Sequence, residues 1–315
     1  MTDAPAAAPR RTAAAPGLLD KPLVVVTGKG GVGKSTVAAA LGLVAARRGL
    51  RTIIAEVARR DDVSRVLGGT GVHEDELAPG LHHISIDPEE AMEEYLVDQL
   101  PSRALADVLL SSRGFGYFAA ATPGLRELLT VGKVWELAQE DRRTPGAQPY
   151  DLVVLDAPAT GHGVAVLNAP RTFADAALMG RIARQGRIID AMLSDPAQTG
   201  VVAVARAEEM PVNETLELEE ALPETVGLDV DLVVANGLLP DRFTPADVRA
   251  LRAVRPSRPV RAALLAHARA RAQRAQLQRL RRRARAPVVT LPFVSAAMLD
   301  AERVEPLVRA LERAL

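Results

Sequence analysis

The stretch that decides the fold of this 315-residue chain is Thr27-Gly28-Lys29-Gly30-Gly31-Val32-Gly33-Lys34-Ser35-Thr36. It follows an apolar run at 23–26 and leads into an alanine-rich segment, 37–46, that favours a helix. A strand, a glycine-rich loop with the spacing Gly-x4-Gly-Lys-Ser, and a helix form the pattern of a phosphate-binding P-loop. Successive backbone N–H groups of such a loop converge on phosphate, and the helix N-terminus adds partial positive charge. The sequence therefore predicts a nucleotide-binding loop here.

Individual residues of this loop are predicted to have separate tasks. The Lys34 ammonium is expected to reach the β- and γ-phosphates, and the Ser35 hydroxyl is expected to ligate Mg²⁺. The rest of the cofactor-binding loop is predicted to be Gly28, Lys29, Gly30, Gly31, Val32, Gly33 and Thr36. ATP and Mg²⁺ are therefore the expected cofactors.

Lys29 is a second lysine inside the loop, although the whole chain contains only four lysines. The form Gly-Lys-Gly-Gly-Val-Gly-Lys-Ser resembles the deviant P-loop of one ATPase group. That group contains the arsenite-pump ATPase, the tail-anchored-protein targeting factor, the cell-division and partition ATPases, and the nitrogenase iron protein. The resemblance implies that Lys29 reaches across a dimer to the partner's nucleotide, and hence that it has a catalytic role.

Composition limits the classes of function. The chain is 48% hydrophobic and 25% charged with zero net charge, which is typical of a globular protein and gives no overall field for nucleic acid or membrane. It has no cysteine, so disulfides, thiolate zinc sites and iron–sulfur clusters are excluded, and a cytoplasmic location is expected. No apolar run approaches the roughly 20 residues of a transmembrane helix. Residues 1–20 are rich in Ala, Pro and Arg and are predicted to be a disordered tail.

Apolar segments that alternate with helical patterns predict an α/β fold with a doubly wound, mostly parallel sheet. Besides 23–26, the predicted strands are 51–56, 81–86, 150–155, 200–205, 230–235 and 287–291. Two helical stretches, at about 89–145 and 163–197, are longer than a simple crossover between strands. We therefore expect one P-loop ATPase domain over 21–315 with a helical subdomain inserted on both sides of the strand at 150–155.

Asp156 directly follows an apolar strand, which is the position of a carboxylate that holds Mg²⁺ or its waters. On its own such an aspartate is more often a helix cap. With a P-loop upstream, the metal role is favoured, and Asp156 joins Ser35 as a predicted metal ligand and catalytic residue.

The residues after Asp156 resemble the switch II pattern Asp-x-x-Pro-Thr-Gly-His of the arsenite-pump and tail-anchored-targeting branch. This chain has Thr160-Gly161-His162, then Leu167 and Pro170, with Ala159 in place of the proline. Asn236 and Pro292 lie in segments that resemble the branch's two adenine-contacting loops, so the resemblance implies that they bind the base.

The branch's switch I, Asp-Pro-Ala-His, is not present here. Laid ungapped on this chain, it places Ala58 where the family has the aspartate that positions the attacking water. We predict that Glu56, at the end of its strand, supplies the catalytic carboxylate instead of Asp61 or Asp62. The alternative is that Glu56 only pairs with a nearby arginine such as Arg59 and has no catalytic role. Because Ala58 replaces the family's aspartate, slow or absent hydrolysis is a second alternative.

Two segments carry open alternatives about partners. The aromatic stretch 114–118, with Met179 and Met192, belongs either to the core of the helical subdomain, which is favoured, or to an apolar groove for a client helix. The thirteen arginines of 249–285 indicate a solvated helix rather than an RNA-binding stripe, so no nucleic acid partner is expected.

The sequence thus predicts a Mg²⁺-ATP-dependent dimeric switch that hydrolyses ATP to ADP and phosphate and resembles cysteine-free, actinobacterial-type members of this branch. We expect a homodimer, or a heterodimer with a paralogous ATPase, coupled to a client or membrane-protein partner. The main alternative is a degenerate nucleotide-binding regulatory subunit that pairs with an active paralogue. An RNA-associated module is the third, weaker alternative.

Overall fold

The computed structural model describes residues 17–57, 61–69, 74–99, 102–112, 124–143, 146–158, 160–176, 181–296 and 299–315. Within these ranges the strands are β1 Leu23–Gly28, β2 Thr52–Val57, β3 Asp75–Ala78, β4 Leu81–Ile86, β5 Leu152–Asp156, β6 Thr199–Arg206, β7 Leu232–Leu238 and β8 Val288–Pro292. The helices are α1 Lys34–Arg47, α2 Asp62–Leu67, α3 Pro88–Gln99, α4 Arg103–Ser111, α5 Leu125–Leu137, α6 Thr160–Ala176, α7 Arg181–Leu193, α8 Glu209–Thr225, α9 Pro245–Ala253, α10 Arg258–Arg283 and α11 Ala301–Glu312.

The eight described strands form a single sheet in the order β3-β4-β2-β5-β1-β6-β7-β8. Every neighbouring pair is parallel except β3–β4, which is antiparallel. The predicted α/β fold with a mostly parallel sheet is therefore confirmed. In a parallel sheet the carboxyl ends of all strands lie at one edge, and this edge carries the P-loop.

Both faces of the sheet are covered by apolar side chains, which explains why β1 reads as a continuous apolar run. Alternate β1 residues point to opposite faces: Val25 joins a core with helices α5, α7 and α8, whereas Val24 and Val26 join a core with α1 and α11. All three valines are fully buried. The P-loop that follows β1 is thus anchored at the centre of the molecule.

The helical stretches predicted around β5 are divided into α3, α4 and α5 before it and α6 and α7 after it. Val131 of α5 and Ile189 of α7 lie in the same apolar core as Val153 of β5. Because these helices share a core with the sheet, a separate inserted subdomain stays a prediction. Met192 is buried in that core, whereas Met179 and residues 114–118 lie outside the described residues.

The predicted disordered tail, residues 1–20, includes three residues that are ordered. Leu18–Asp20 form a short 3₁₀ helix, and Leu19 is buried against the α1 face of the sheet. The arginine-rich segment is helical, as α10, with Ala270 and Leu277 buried and Leu264 only partly covered. Among the helices described here, none has the length and apolarity needed to cross a membrane.

Candidate functional site

The P-loop connects β1 to α1 and is packed so closely that two of its glycines cannot be replaced without displacement of neighbouring atoms. A Cβ atom on Gly28 would lie 2.2 Å from the carbonyl oxygen of Val204 in β6. A Cβ atom on Gly33 would lie 2.4 Å from Nδ2 of Asn236 in β7. Both glycines also have positive φ angles, 146° and 93°, which other residues rarely adopt. The glycine pattern is therefore a requirement of this backbone.

Lys34 is the first residue of α1, and its side chain folds back over the loop. Its Nζ atom donates to the carbonyl oxygen of Lys29 at 3.3 Å, and the residue is only 7% exposed. An open cavity of about 430 Å³ lies beside it. The cavity is lined by Gly31, Gly33, Lys34, Ser35 and Thr36 of the loop, by Asp62, Arg65 and Val66 of α2, and by Leu299.

Ser35 lines this cavity and contacts Asp156, the other predicted metal ligand. The Ser35 hydroxyl donates to Oδ2 of Asp156 at 2.5 Å, and Asp156 is nearly buried at the end of β5. A hydroxyl and a carboxylate are hard oxygen ligands of the kind that Mg²⁺ prefers. The donor set of this chain therefore fits the predicted ion.

Glu56 is placed beside this pair by the sheet register. Its Cα atom is paired with that of Asp156 on the neighbouring strand, and both side chains lie on the α1 face. The Glu56 carboxylate is fully buried. Its Oε2 atom accepts a hydrogen bond from the backbone N–H of Val63 at 2.9 Å and lies 2.8 Å from Nε2 of His83. Its Oε1 atom has no hydrogen-bond partner in the described part of the chain. Glu56 therefore fixes the start of α2 through Oε2, whereas Oε1 accepts no hydrogen bond from a described residue.

His83 was not predicted as a site residue. Neighbouring residues of a strand point to opposite faces, and in β4 His83 is fully buried beside Glu56, whereas His82 is half-buried and contacts Arg51. The alternation was the only signal available in the sequence. Arg59, the partner that the sequence offered for Glu56, lies outside the described residues.

Lys29 is held within its own protomer. Its Nζ atom lies 2.5 Å from Oε1 of Glu214 on α8, and each side chain is about one-third exposed, at 33% and 28%. Sequence reasoning missed Glu214, which is one acidic residue among several in 208–224. The predicted contact of Lys29 across a dimer stays a prediction.

Asn236 lies in the carboxyl-terminal half of β7 and contacts the P-loop, and Pro292 is the last residue of β8. The Asn236 amide Nδ2 donates to the carbonyl oxygen of Val32 at 2.9 Å, so this side chain supports the P-loop directly. Pro292 is exposed and is paired in register with Leu238. Their predicted contacts with adenine remain predictions.

Several residues of the predicted switch regions lie outside the described ranges. Ala58 and Ala159 are not among the described residues, and neither are the side chains of Thr160 and His162. Within the described ranges, no group of three or more His, Asp or Glu side chains is placed to hold a metal ion.

A second and larger cavity, about 720 Å³, lies between α3, α4, α5 and α7, away from the P-loop. Its apolar lining includes Leu125, Leu128 and Ile189, and charged side chains such as Arg103 and Lys133 also line it. Lys133 is paired with Glu94 at 2.8 Å, so its charge is already balanced. The smaller cavity, which the P-loop lines, is therefore the predicted phosphate site.

A parallel sheet with a glycine-rich phosphate loop after its central strand and a carboxylate on the adjacent strand defines the P-loop NTPase class. Residues 21–192 and 176–257 match the sequence profile of the family described as "Anion-transporting ATPase". The chain is 32% identical over 254 residues to "ATPase BagA" of Mycobacterium tuberculosis, covering 77% of this chain and 73% of that protein. It is 28% identical over 255 residues to an "Arsenical pump-driving ATPase" of Escherichia coli, covering 73% of this chain and 41% of that protein. The chain belongs to the anion-transporting ATPase family, so the predicted resemblance is confirmed.

Proposed function

We propose that this chain is a Mg²⁺-ATP-dependent switch that hydrolyses ATP and closes as a dimer around its nucleotides. The observation that carries the proposal is the hydrogen bond from Ser35 to Asp156 next to the P-loop. It joins the helix after the loop to the strand beside it, at the place where a bound Mg²⁺ would meet both oxygens. Homologues named as ATPases support hydrolysis as the activity.

Each residue then has a task that follows from its position. Lys34 exchanges its bond to the Lys29 carbonyl for the β- and γ-phosphates, since an ammonium is attracted more strongly by phosphate than by a neutral carbonyl. Ser35 and Asp156 hold Mg²⁺, which neutralises charge on these phosphates when bound. Asn236 keeps the loop in shape through Val32, and the exposed Pro292 is free to contact the base.

Dimer closure is assigned to Lys29, which acts on the partner's nucleotide after leaving Glu214. The partner is a second copy of this chain or a paralogous ATPase. Closure would change the packing of the helices around β5, and thereby couple the nucleotide state to a client protein or a membrane-protein partner. The larger cavity between these helices is the surface that we assign to the client. A cytoplasmic location stays a prediction.

A second function, a regulatory subunit that binds nucleotide without turnover, is favoured by one observation. Glu56, the predicted catalytic carboxylate, is fully buried, and one of its oxygens is already engaged by Val63 and His83. If Glu56 only anchors α2, the carboxylates that remain on switch I are Asp61 and Asp62, and both are paired with Arg65. ATP binding would then persist without hydrolysis.

The test compares Lys34→Ala with Lys133→Ala, a lysine that lies at the other cavity. Calorimetry with ATP and Mg²⁺ is expected to give no measurable binding for Lys34→Ala and parent-like binding for Lys133→Ala, because only Lys34 contacts the phosphate loop. A variant lacking residues 1–16, which keeps the buried Leu19, should bind like the parent. Steady-state turnover of the parent, alone and with co-purified partners, then decides between the two functions.

The result that contradicts the P-loop assignment is parent-like ATP binding by Lys34→Ala. ATP binding by the parent without turnover above the Lys34→Ala background, with every partner tried, would favour the regulatory subunit.

A further inference from the structure

Glu56 and His83 form a buried acid–histidine pair on adjacent strands, and Glu56 is in register with Asp156 on the strand at its other side. Glu56 is the penultimate residue of β2, His83 lies on β4, and their side chains meet at 2.8 Å on the same face of the sheet. Both side chains are 0% exposed. The same carboxylate oxygen accepts the N–H of Val63 in α2, so two strands and a helix converge on one atom.

The contact with Glu56 indicates which ring nitrogen of His83 carries a hydrogen. An ionised carboxylate only accepts hydrogen bonds, so Nε2 of His83 is the donor to Glu56. The two contacts on Oε2 come from a helix and from a neighbouring strand, so they fix the direction of the carboxylate. His83 therefore orients Glu56.

The second carboxylate oxygen of Glu56, Oε1, is the one that can accept a hydrogen bond from an incoming water. Oε1 is buried, and it accepts no hydrogen bond from any described residue. A buried carboxylate oxygen without a hydrogen bond costs free energy, so a hydrogen-bond donor that binds to Oε1 would stabilise the site. Adjacent strands are about 4.8 Å apart, and the register puts Glu56 directly beside Asp156, the predicted Mg²⁺ ligand. The unpaired oxygen thus belongs to the carboxylate next to the metal site.

We propose that His83 is a positioning residue which, together with Val63, fixes Glu56 so that Oε1 binds the water that attacks ATP. This proposal rests on the proposed ATPase function and supplies the acceptor that the family's switch I aspartate, replaced by Ala58, would provide. The water oxygen bonds to the γ-phosphorus while the bond from that phosphorus to the β–γ bridging oxygen breaks, and its electron pair leaves with ADP. The water's proton passes to Oε1 and then to the released phosphate.

The experiment uses substitutions at His83 that differ only in where a donor is placed. The amide nitrogen of Gln lies near the position of Nε2 in histidine, whereas that of Asn lies near Nδ1. His83→Leu removes the donor altogether. His82→Leu is the matched control, because it changes the adjacent histidine on the opposite face of the same strand. For each variant we would measure kcat, KM, binding of a non-hydrolysable ATP analogue and the melting temperature.

The expected loss in kcat is about 10- to 100-fold for His83→Leu and His83→Asn, the range typical of a residue that orients an active-site ligand. His83→Gln should keep most of the activity, and analogue binding should stay within about twofold, since the donor acts on the water and not on ATP binding. Glu56→Gln should lose about 10²–10⁴-fold. Adding His83→Leu to Glu56→Gln should lower kcat little further, because both changes remove the same function.

Equal kcat values for His83→Leu and His82→Leu would overturn the proposal, as would equal losses for His83→Gln and His83→Asn. If His83→Leu does not fold, the comparison of Gln with Asn decides alone. A parent that binds ATP but has no turnover overturns both this proposal and the ATPase function. A parent with turnover that is insensitive to His83 overturns only this one.

Discussion

Replacing Glu214 with Gln is expected to tighten nucleotide-dependent dimerisation. In the single protomer, Lys29 is held by Glu214 at 2.5 Å. If Lys29 acts on the nucleotide of a partner, this ion pair has to break in each protomer before the dimer closes. Gln keeps the size of the side chain and its oxygen acceptor but removes the negative charge, so less free energy is lost when Lys29 leaves.

The size of the effect follows from the exposure of the pair. With 33% of the lysine and 28% of the glutamate side chain exposed, solvent screens the attraction, and such pairs contribute about 0.2–1 kcal/mol. A symmetric dimer breaks two pairs, which gives about 0.4–2 kcal/mol. At about 1.4 kcal/mol for each factor of ten, the dimer should be roughly 2- to 30-fold tighter.

Analytical ultracentrifugation over a range of protein concentrations, with Mg²⁺ and a non-hydrolysable ATP analogue, measures this constant. Glu217→Gln is the matched control, because Glu217 is an exposed glutamate on the same helix and has no ion pair among the described residues. Lys29→Ala should not dimerise with nucleotide, and adding Glu214→Gln to it should change nothing. Analogue binding by the monomer should be the same in all of these variants.

The reasoning is refuted if Glu214→Gln dimerises no more tightly than Glu217→Gln. A weaker dimer would be equally decisive, because it would place Glu214 among the attractive contacts of the closed state instead of those that oppose closure.

Two further perturbations test the packing of the loop and the edge of the sheet. Gly28→Ala should lower the melting temperature by several degrees and abolish ATP binding, since its Cβ atom would lie 2.2 Å from the Val204 carbonyl oxygen; circular dichroism and calorimetry measure the two effects. Stability should also fall with pH below about 4.5, the ordinary pKa of Glu74. Burial raises the pKa of Glu74, but hydrogen bonds from Arg142 and Tyr150 lower it overall, so the carboxylate stabilises the fold above its unfolded pKa and this contribution is lost on protonation. Urea unfolding between pH 3 and 7 should show a weaker pH dependence for Glu74→Gln than for the parent.

The sheet was predictable because most of its strands are buried on both faces and therefore read as apolar runs. Residues 23–26 of β1 are all apolar, and all are fully buried. The prediction missed β3, whose sequence Asp-Glu-Leu-Ala has no such run. Among the described strands it lies at the edge of the sheet and pairs only with β4, so it forms by main-chain pairing and needs little apolar surface.

The site was predictable where its residues are close in sequence or follow a strand directly. The P-loop motif is local, and Asp156 could be placed by the apolar strand before it. Glu214 and His83 could not be found in this way, because they meet Lys29 and Glu56 across 185 and 27 residues of chain. Periodicity indicates which face a side chain occupies, but the partner on that face is chosen by the packing of separate elements.

The contacts of Lys29 link its place in the nucleotide-binding loop to its proposed role in dimer closure. Lys34 donates to the backbone carbonyl of Lys29, and Glu214 holds the side chain of the same residue. In the proposed switch, phosphate draws Lys34 away from that carbonyl, so the peptide at Lys29 loses one of the contacts that fix it. The phosphates of the partner's nucleotide present negative charge that competes with Glu214 for the Lys29 ammonium. Nucleotide binding therefore weakens the hold on Lys29 at both ends, which makes closure of the dimer depend on nucleotide and not on protein concentration alone.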